Sequence, residues 1–277
     1  DNGEKEKWFS HTLNDFINLP GSMPEKLKGD EVTAKTQWTG SLYDSSYYYN
    51  PYMEKYRKEG NIKFPFFLTP DKHYVGAAWY QKEANIPADW KGERILLFLE
   101  RPHIETTVWV NGQKTGMQNS LCVPHQYDIT HYVRPGKCTI TIRVDNRIKE
   151  INVGPDSHSI TDQTQGNWNG IVGRICLQTT PKTYFDDIQI YPEPEQKLAR
   201  VKVVIKGTGT AKVKLSAESF NTDKKHIVPA IQQEIKLNKG VTETEMVLPM
   251  GNDMLLWDEF HPALYKLKAE VTNGKKT

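Results

Sequence analysis

Cysteine is scarce: Cys122, Cys138 and Cys176 are the only three in 277 residues, and none forms a Cys-x-x-Cys pair. That leaves no disulfide framework or thiolate metal site to expect, and the three read as small buried hydrophobes. Metal-ligand spacing is missing as well. His125 and His131 stand apart, His158 falls in a loop, and no His-x₃-His exists, so no zinc is expected. Asp156 and Asp162 with backbone oxygens are the nearest set for Ca²⁺ or Na⁺, too thin to predict a metal; no cofactor is expected. Long apolar runs are absent. Ile95–Leu99 is the longest, far below the about twenty residues of a membrane helix, so no membrane partner is expected. Charge of one sign is absent too: 36 Lys and Arg face 34 Asp and Glu, and no basic stripe for nucleic acid results. Helical period is confined to Pro51–Glu59, where a short helix is expected.

What is abundant points to an all-β protein. Sixteen Pro, nineteen Gly and 10% aromatic residues punctuate short strand-like runs. Tyr74–Ile86 alternates loosely, and Ile95–Leu99 is apolar on both faces, as a buried strand is. Thr106–Val110 meets Asn111-Gly112, a hairpin turn in which both residues accept positive φ. Tyr127–Tyr132 and Ile171–Leu177 are further runs. In Thr139–Val144, Ile140, Ile142 and Val144 share one face. After Pro181 come Tyr184–Tyr191, Val201–Lys206, Val213–Phe220, Ile231–Leu237, Val241–Leu248 and Leu264–Val271. About ninety residues with six or seven short strands fit a small β-sandwich. The expected domains are 1–183 and 184–277. Asn273-Gly274 reads as a hairpin turn with only Lys275-Lys276-Thr277 after it, as if a partner strand were cut off.

Several motifs then arrive in a familiar order: Trp79-Tyr80-Gln81-Lys82, Val108-Trp109-Val110-Asn111-Gly112, Tyr127-Asp128-Ile129-Thr130, Ile142-Arg143-Val144-Asp145-Asn146 and Gly166-Asn167-Trp168-Asn169-Gly170-Ile171. Together they resemble the sugar-binding domain of family 2 glycoside hydrolases, the group of β-galactosidases, β-glucuronidases and β-mannosidases. Leu256-Trp257 followed by His261-Pro262-Ala263-Leu264-Tyr265 resembles the end of that family's second domain. The resemblance implies a galactose-binding-like jelly roll of about eight strands, followed by an immunoglobulin-like β-sandwich. It also implies a (β/α)₈ barrel of the same polypeptide beyond this chain, carrying the catalytic carboxyl pair. Retaining glycosidases hold two such groups about 5–5.5 Å apart. The family's acid/base Glu follows an Asn, and no Asn-Glu dipeptide occurs here, so no catalytic residue is expected in this chain.

The candidate substrate-binding segment is Asp162-Gln163-Thr164-Gln165-Gly166-Asn167-Trp168-Asn169. It is polar and too irregular for a strand. Trp168 offers a flat face to a sugar ring, while Asp162, Asn167 and Asn169 offer hydrogen bonds. In the family a loop at this place contributes a sugar-contacting Asp; its position falls on Thr164, with Asp162 two residues earlier. The competing reading packs Trp168 under its own loop and uses Asp162 to cap a turn. Tyr47-Tyr48-Tyr49-Asn50-Pro51-Tyr52 is a second aromatic cluster, expected to pack. The expected partner is carbohydrate bearing a terminal β-linked sugar, held weakly by this chain alone. The rival is a stand-alone glycan-binding or interaction module. A periplasmic or extracellular place is expected by resemblance; the charged opening Asp-Asn-Gly-Glu-Lys-Glu-Lys carries no signal core.

Overall fold

A computed structural model describes residues 2–40, 44–64, 68–149, 157, 161–162 and 166–274. The chain divides into two compact units, Asp1–Thr179 and Thr180–Thr277. Both are built from strands, the first as a jelly-roll sandwich and the second as an immunoglobulin-like one.

In the first unit the principal strands are β1 (Ala77–Ile86), β2 (Arg94–Leu99), β3 (Glu105–Val110), β4 (Gln113–Asn119), β5 (His125–Asp128), β6 (Gly136–Asp145) and β7 (Ile175–Thr180). One layer runs β1-β6-β3-β4, antiparallel throughout, and the other β7-β2-β5. The β3–β4 turn is the one expected: Asn111 and Gly112 take φ 50 and 78, and Val110 pairs with Gln113. Tyr80, Val108, Val110, Ile140, Ile142 and Val144 point inward against Ile95, Leu97, Leu99 and Tyr127, forming the core. β2 is buried on both faces, as its unbroken apolar run requires.

The clean alternation of β6 does not give one dry and one wet face. Thr141, Arg143 and Asp145, on its outer side, are buried too. Around Thr141 the cover is the N-terminal segment, which lies across Trp79, Gln81 and Trp109 of this layer. Phe9 stacks on Trp109 with ring centroids 5.1 Å apart, and Trp79 stacks on Trp109 at 4.9 Å. Gln81 ties the segment down: its Nε2 donates to the His11 carbonyl at 3.0 Å and its Oε1 accepts from the Leu13 N–H at 3.3 Å. Farther along the same face, Arg143 donates to Glu105 and Asp145, both at 3.1 Å, and Arg147 and Lys149 close on Asp145 at 2.6 and 2.8 Å. Asp145 is wholly buried. Burial alone would raise its carboxyl pKa, but the bonds from Arg147 and Lys149 outweigh it and hold the group ionised well below the usual carboxylate range.

Other expectations shift. The helix expected at Pro51–Glu59 is a 3₁₀ helix over Pro51–Tyr56, started by the Asn50 side chain accepting from the Tyr52 N–H; a short α-helix, Ser46–Tyr49, precedes it. The Tyr127 run stops at Asp128, where the chain turns back through a bond from the Tyr132 N–H to the Ile129 carbonyl. The Ile171–Leu177 run splits into Gly170–Ile171 and β7.

Among its described residues the second unit has four strands: β8 (Tyr184–Glu193), β9 (Leu198–Phe220), β10 (Ile227–Pro249) and β11 (Leu264–Thr272). The short runs expected on either side of Gly207-Thr208-Gly209 and of Asn238-Lys239-Gly240 are the two halves of β9 and β10, each 23 residues long. Ladder pairing resumes across the bend, from Gly207–Gly240 to Gly209–Leu237, with the extra residues absorbed as a bulge. Gly207 is required there, since a Cβ would sit 2.6 Å from Thr183 Oγ1. β8 pairs with the first half of β9, β11 with the second, and β10 with both. Val201, Val203 and Ile205 from one half thus share a core with Val213 and Leu215 from the other. Residues 275–277, on which the expected truncated strand would depend, lie outside the described residues.

Candidate functional site

The segment 166–169 leaves a loop and enters the two-residue strand Gly170–Ile171, which lies between Gly21–Ser22 and Pro102–His103. Gly170 has φ 153 and lies so close to the Gly21 carbonyl that a side chain would collide with it. That approach fixes where the loop ends.

Buried amides fix the rest. Asn169 is fully buried: its Oδ1 accepts from the Tyr80 hydroxyl, and its Nδ2 donates to the Gly76 and Val144 carbonyls, all at 2.9 Å. Burial pushes the Tyr80 hydroxyl pKa up, so it stays a donor. Asn146, also fully buried, donates from Nδ2 to the Tyr74 carbonyl at 2.8 Å and to Asn167 Oδ1 at 3.1 Å; its Oδ1 accepts from the Gly76 N–H. Asn167 Nδ2 reaches Thr39 Oγ1 at 3.0 Å. Asp162 is 1% exposed and accepts from the N–H groups of Asn167 and Thr39. Burial raises its carboxyl pKa, against the pull of those two N–H groups. So Asp162, Asn167 and Asn169 brace the loop, with their hydrogen-bonding groups engaged inside the protein.

Trp168 is different. It is half-buried, stacked on His103 with centroids 4.5 Å apart, and it lines an open cleft of ≈ 840 Å³. His103 is buried, which pushes its pKa down to about 4 and leaves a neutral ring beneath the indole. Tyr56, Ile62, Phe64 and Leu68 supply apolar lining; Ser22, Lys63, Thr69, Asp71, Asp162 and Asn167 supply polar atoms. A cleft of this size, lined about equally by apolar and polar groups, suits one or two sugar rings. Thr164 lies outside the described residues.

The aromatic cluster upstream divides. Tyr47 is fully buried, stacks on Phe64 at 4.6 Å and donates its hydroxyl to the Tyr56 carbonyl. Tyr48, Tyr49 and Tyr52 are exposed. Sequence reasoning missed His103 and the wall made by residues 62–64 and 68–71. Neither has a motif of its own, and only the fold brings them to Trp168. Asn146 was legible as the end of a motif, but not as the anchor of this loop.

Among the described residues no group of three His, Cys, Asp or Glu is placed to hold a metal ion, and no helix is long and apolar enough to cross a membrane. The cleft offers a stacking face and polar edges. With Asp162 engaged by main-chain N–H groups, the described residues of the cleft offer no pair of carboxyl groups free for acid–base or nucleophilic work.

Comparison with known proteins gives this geometry its context. A family profile described as "Glycosyl hydrolases family 2, sugar binding domain" matches residues 25–181, and one described as "Glycosyl hydrolases family 2" matches residues 183–277. Human β-glucuronidase is 27% identical over 229 residues, covering 73% of this chain and 33% of its own length. A β-galactosidase of Thermoanaerobacter pseudethanolicus is 23% identical, covering 76% of this chain and 28% of its own. Among solved structures, the apo β-glucuronidase of Ruminococcus gnavus superposes with a TM-score of 0.62 at 17% identity, over 100% of this chain and 40% of that one. At that identity the likeness carries the fold. The chain spans about a third of the length of these curated relatives.

Proposed function

The chain belongs to glycosyl hydrolase family 2, and from that premise we propose that it is the non-catalytic front of a longer hydrolase cleaving terminal β-linked sugars, as β-glucuronidases and β-galactosidases do. In this reading the second unit is scaffold, and the first supplies one wall of the sugar site. The observation that carries it is Trp168: Asp162 and Asn167 also border the cleft, but their hydrogen-bonding groups are taken up in the brace, whereas the Trp168 indole lines the cleft as an aromatic face. An indole held flat on a neutral imidazole is a preorganised platform for the apolar face of a sugar ring. Backing it with a fixed ring keeps the ordering cost of binding low.

The arrangement also explains why this portion alone should do no chemistry. Hydrolysis of a glycosidic bond needs a proton donor and a second carboxylate facing one anomeric carbon. That pair belongs to the barrel of the same polypeptide, which the reading places after this chain. A single wall holds sugar weakly, so monosaccharide affinity of the isolated chain stays in the millimolar range, about −4 kcal/mol at most. The test is hydrolysis of aryl β-glucuronide and aryl β-galactoside by the full-length parent and by this chain. Turnover by the parent and none by the chain is expected. Turnover by the chain, or low-micromolar monosaccharide binding to it, would favour a self-sufficient module.

A further inference from the structure

The second unit carries an apolar surface that its own fold does not use. On the loop between β10 and β11, Leu256, Trp257 and Phe260 are 60%, 60% and 82% exposed. Elsewhere in this unit exposed apolar side chains stand singly on strand faces, such as Val247 opposite Arg200, as on any protein surface. Here three large ones fall within a short stretch of one loop. At its root lie Phe220 and Leu264, a cross-strand pair that is also exposed.

The loop is not loose. Trp257 bridges Pro262 in antiparallel register. The Asp258 carboxylate accepts from the N–H groups of Phe260 and His261 at 2.8 and 2.6 Å, and the Asp258 N–H donates to the His261 carbonyl at 3.1 Å. Asn221 Nδ2 donates to the Pro262 carbonyl at 2.9 Å. The Leu255 N–H donates to the Tyr265 hydroxyl at 2.9 Å, and His226 Nδ1 holds the same hydroxyl at 2.6 Å. The loop is therefore ordered before anything covers it, so covering it costs little conformational entropy. Exposed apolar groups on a fixed loop mark an interaction surface.

We infer that this loop is the seat of the C-terminal remainder of the parent polypeptide, which meets Leu256, Trp257 and Phe260 with an apolar surface of its own. The inference rests on the reading of the chain as the front of a longer hydrolase. Relatives run to about three times this chain's span, so a large further body is available. The loop and β11 belong to one compact unit, and the nine residues of β11 put the chain's exit roughly 27 Å from the loop, within the reach of a domain-sized body, so whatever follows meets the loop at high effective concentration. A second copy of the chain fits less well. Three such side chains bury roughly 500 Å², short of the about 800 Å² per partner that a stable intermolecular contact needs. A tethered domain has no such threshold.

Hydroxyl-radical footprinting of the full-length parent and of this 277-residue chain tests the inference. Oxidation of Trp257 and Phe260 is expected to be about tenfold slower in the parent, where solvent is excluded. Equal oxidation in both overturns the inference and leaves the functional reading standing. Protection that appears in the short chain as its concentration rises assigns the surface to a second copy and overturns it too. A reading frame that stops at Thr277 overturns the functional reading itself. As a second measurement, the double substitution Trp257→Ser with Phe260→Ser should lower the melting temperature of the parent by several degrees and leave that of the short chain unchanged. A fall in both would mark these residues as parts of the sandwich and contradict the assignment.

Discussion

The Trp168 indole lies face to face with the His103 imidazole, ring centroids 4.5 Å apart and planes 20° from parallel. This pair joins the candidate sugar wall to the interior of the jelly roll and links the wall to pH. The His103 pKa is about 4 in the folded chain and about 6.5 in an unfolded one. The folded state therefore resists a proton that the unfolded state takes up. Stability from this group is complete above about pH 6.5 and is lost as the pH falls toward 4, by about 3 kcal/mol. Burial lowers His73 and His125 in the same sense. Asp162, whose carboxyl is raised, works the other way. His103→Phe keeps an aromatic ring under Trp168 and removes the titration. Urea unfolding at pH 7.5 and 4.5 should show a smaller pH loss for the variant; an equal loss would contradict this account of His103.

Asp145 works in the same sense as His103, in a more acidic window. Its pKa is depressed, so its contribution is complete above the unfolded value of about 3.9 and is lost progressively as the pH falls from there through the lower folded value. Asp145→Asn removes the carboxylate shared by Arg143, Arg147 and Lys149 and leaves Glu105 as the remaining partner of Arg143 and Lys149. A loss of about 2–3 kcal/mol in the first unit is expected by chemical denaturation. A loss under 1 kcal/mol would show that the network is solvated.

Phe9→Ala tests the N-terminal segment. Losing the stack on Trp109 and Trp79 should cost about 1–2 kcal/mol and shift tryptophan emission to longer wavelength as both indoles meet water. Unchanged emission would mean that the segment does not shield this face.

Much of this was legible in the sequence, and for identifiable reasons. Asn111-Gly112 specified its turn because few residues tolerate two positive φ values in a row, and Ile95–Leu99 specified a doubly buried strand because nothing polar interrupts it. The single long β9 was not legible. Gly207-Thr208-Gly209 reads as a break in any local window, and only the partner strand, bulged at the matching place, shows that pairing resumes beyond it. The outer face of β6 misled for a similar reason: alternation reports which residues share a side, whereas Phe9 and His11, more than a hundred residues earlier, decide whether that side is wet around Thr141. At the candidate site the motif indicated the loop. It could not tell Trp168, facing the cleft, from Asn169, facing the core.

The bend itself is open to test. Gly207→Val would place a branched side chain against Thr183 and within 3.0 Å of Leu237 Cδ1. The second unit should lose about 2 kcal/mol while the first is unaffected. Unchanged unfolding of the second unit would show that the bend has room for a side chain.

The most direct test of the central claim is the effect of Trp168→Ala on kcat/KM of the full-length parent toward an aryl β-glycoside that it cleaves. If the first unit supplies a wall of the sugar site, kcat/KM should fall about tenfold to a hundredfold, a loss of about 1.4–2.8 kcal/mol of transition-state binding, with the melting temperature unchanged within a few degrees. Wild-type kcat/KM in a fully folded Trp168→Ala enzyme would contradict it.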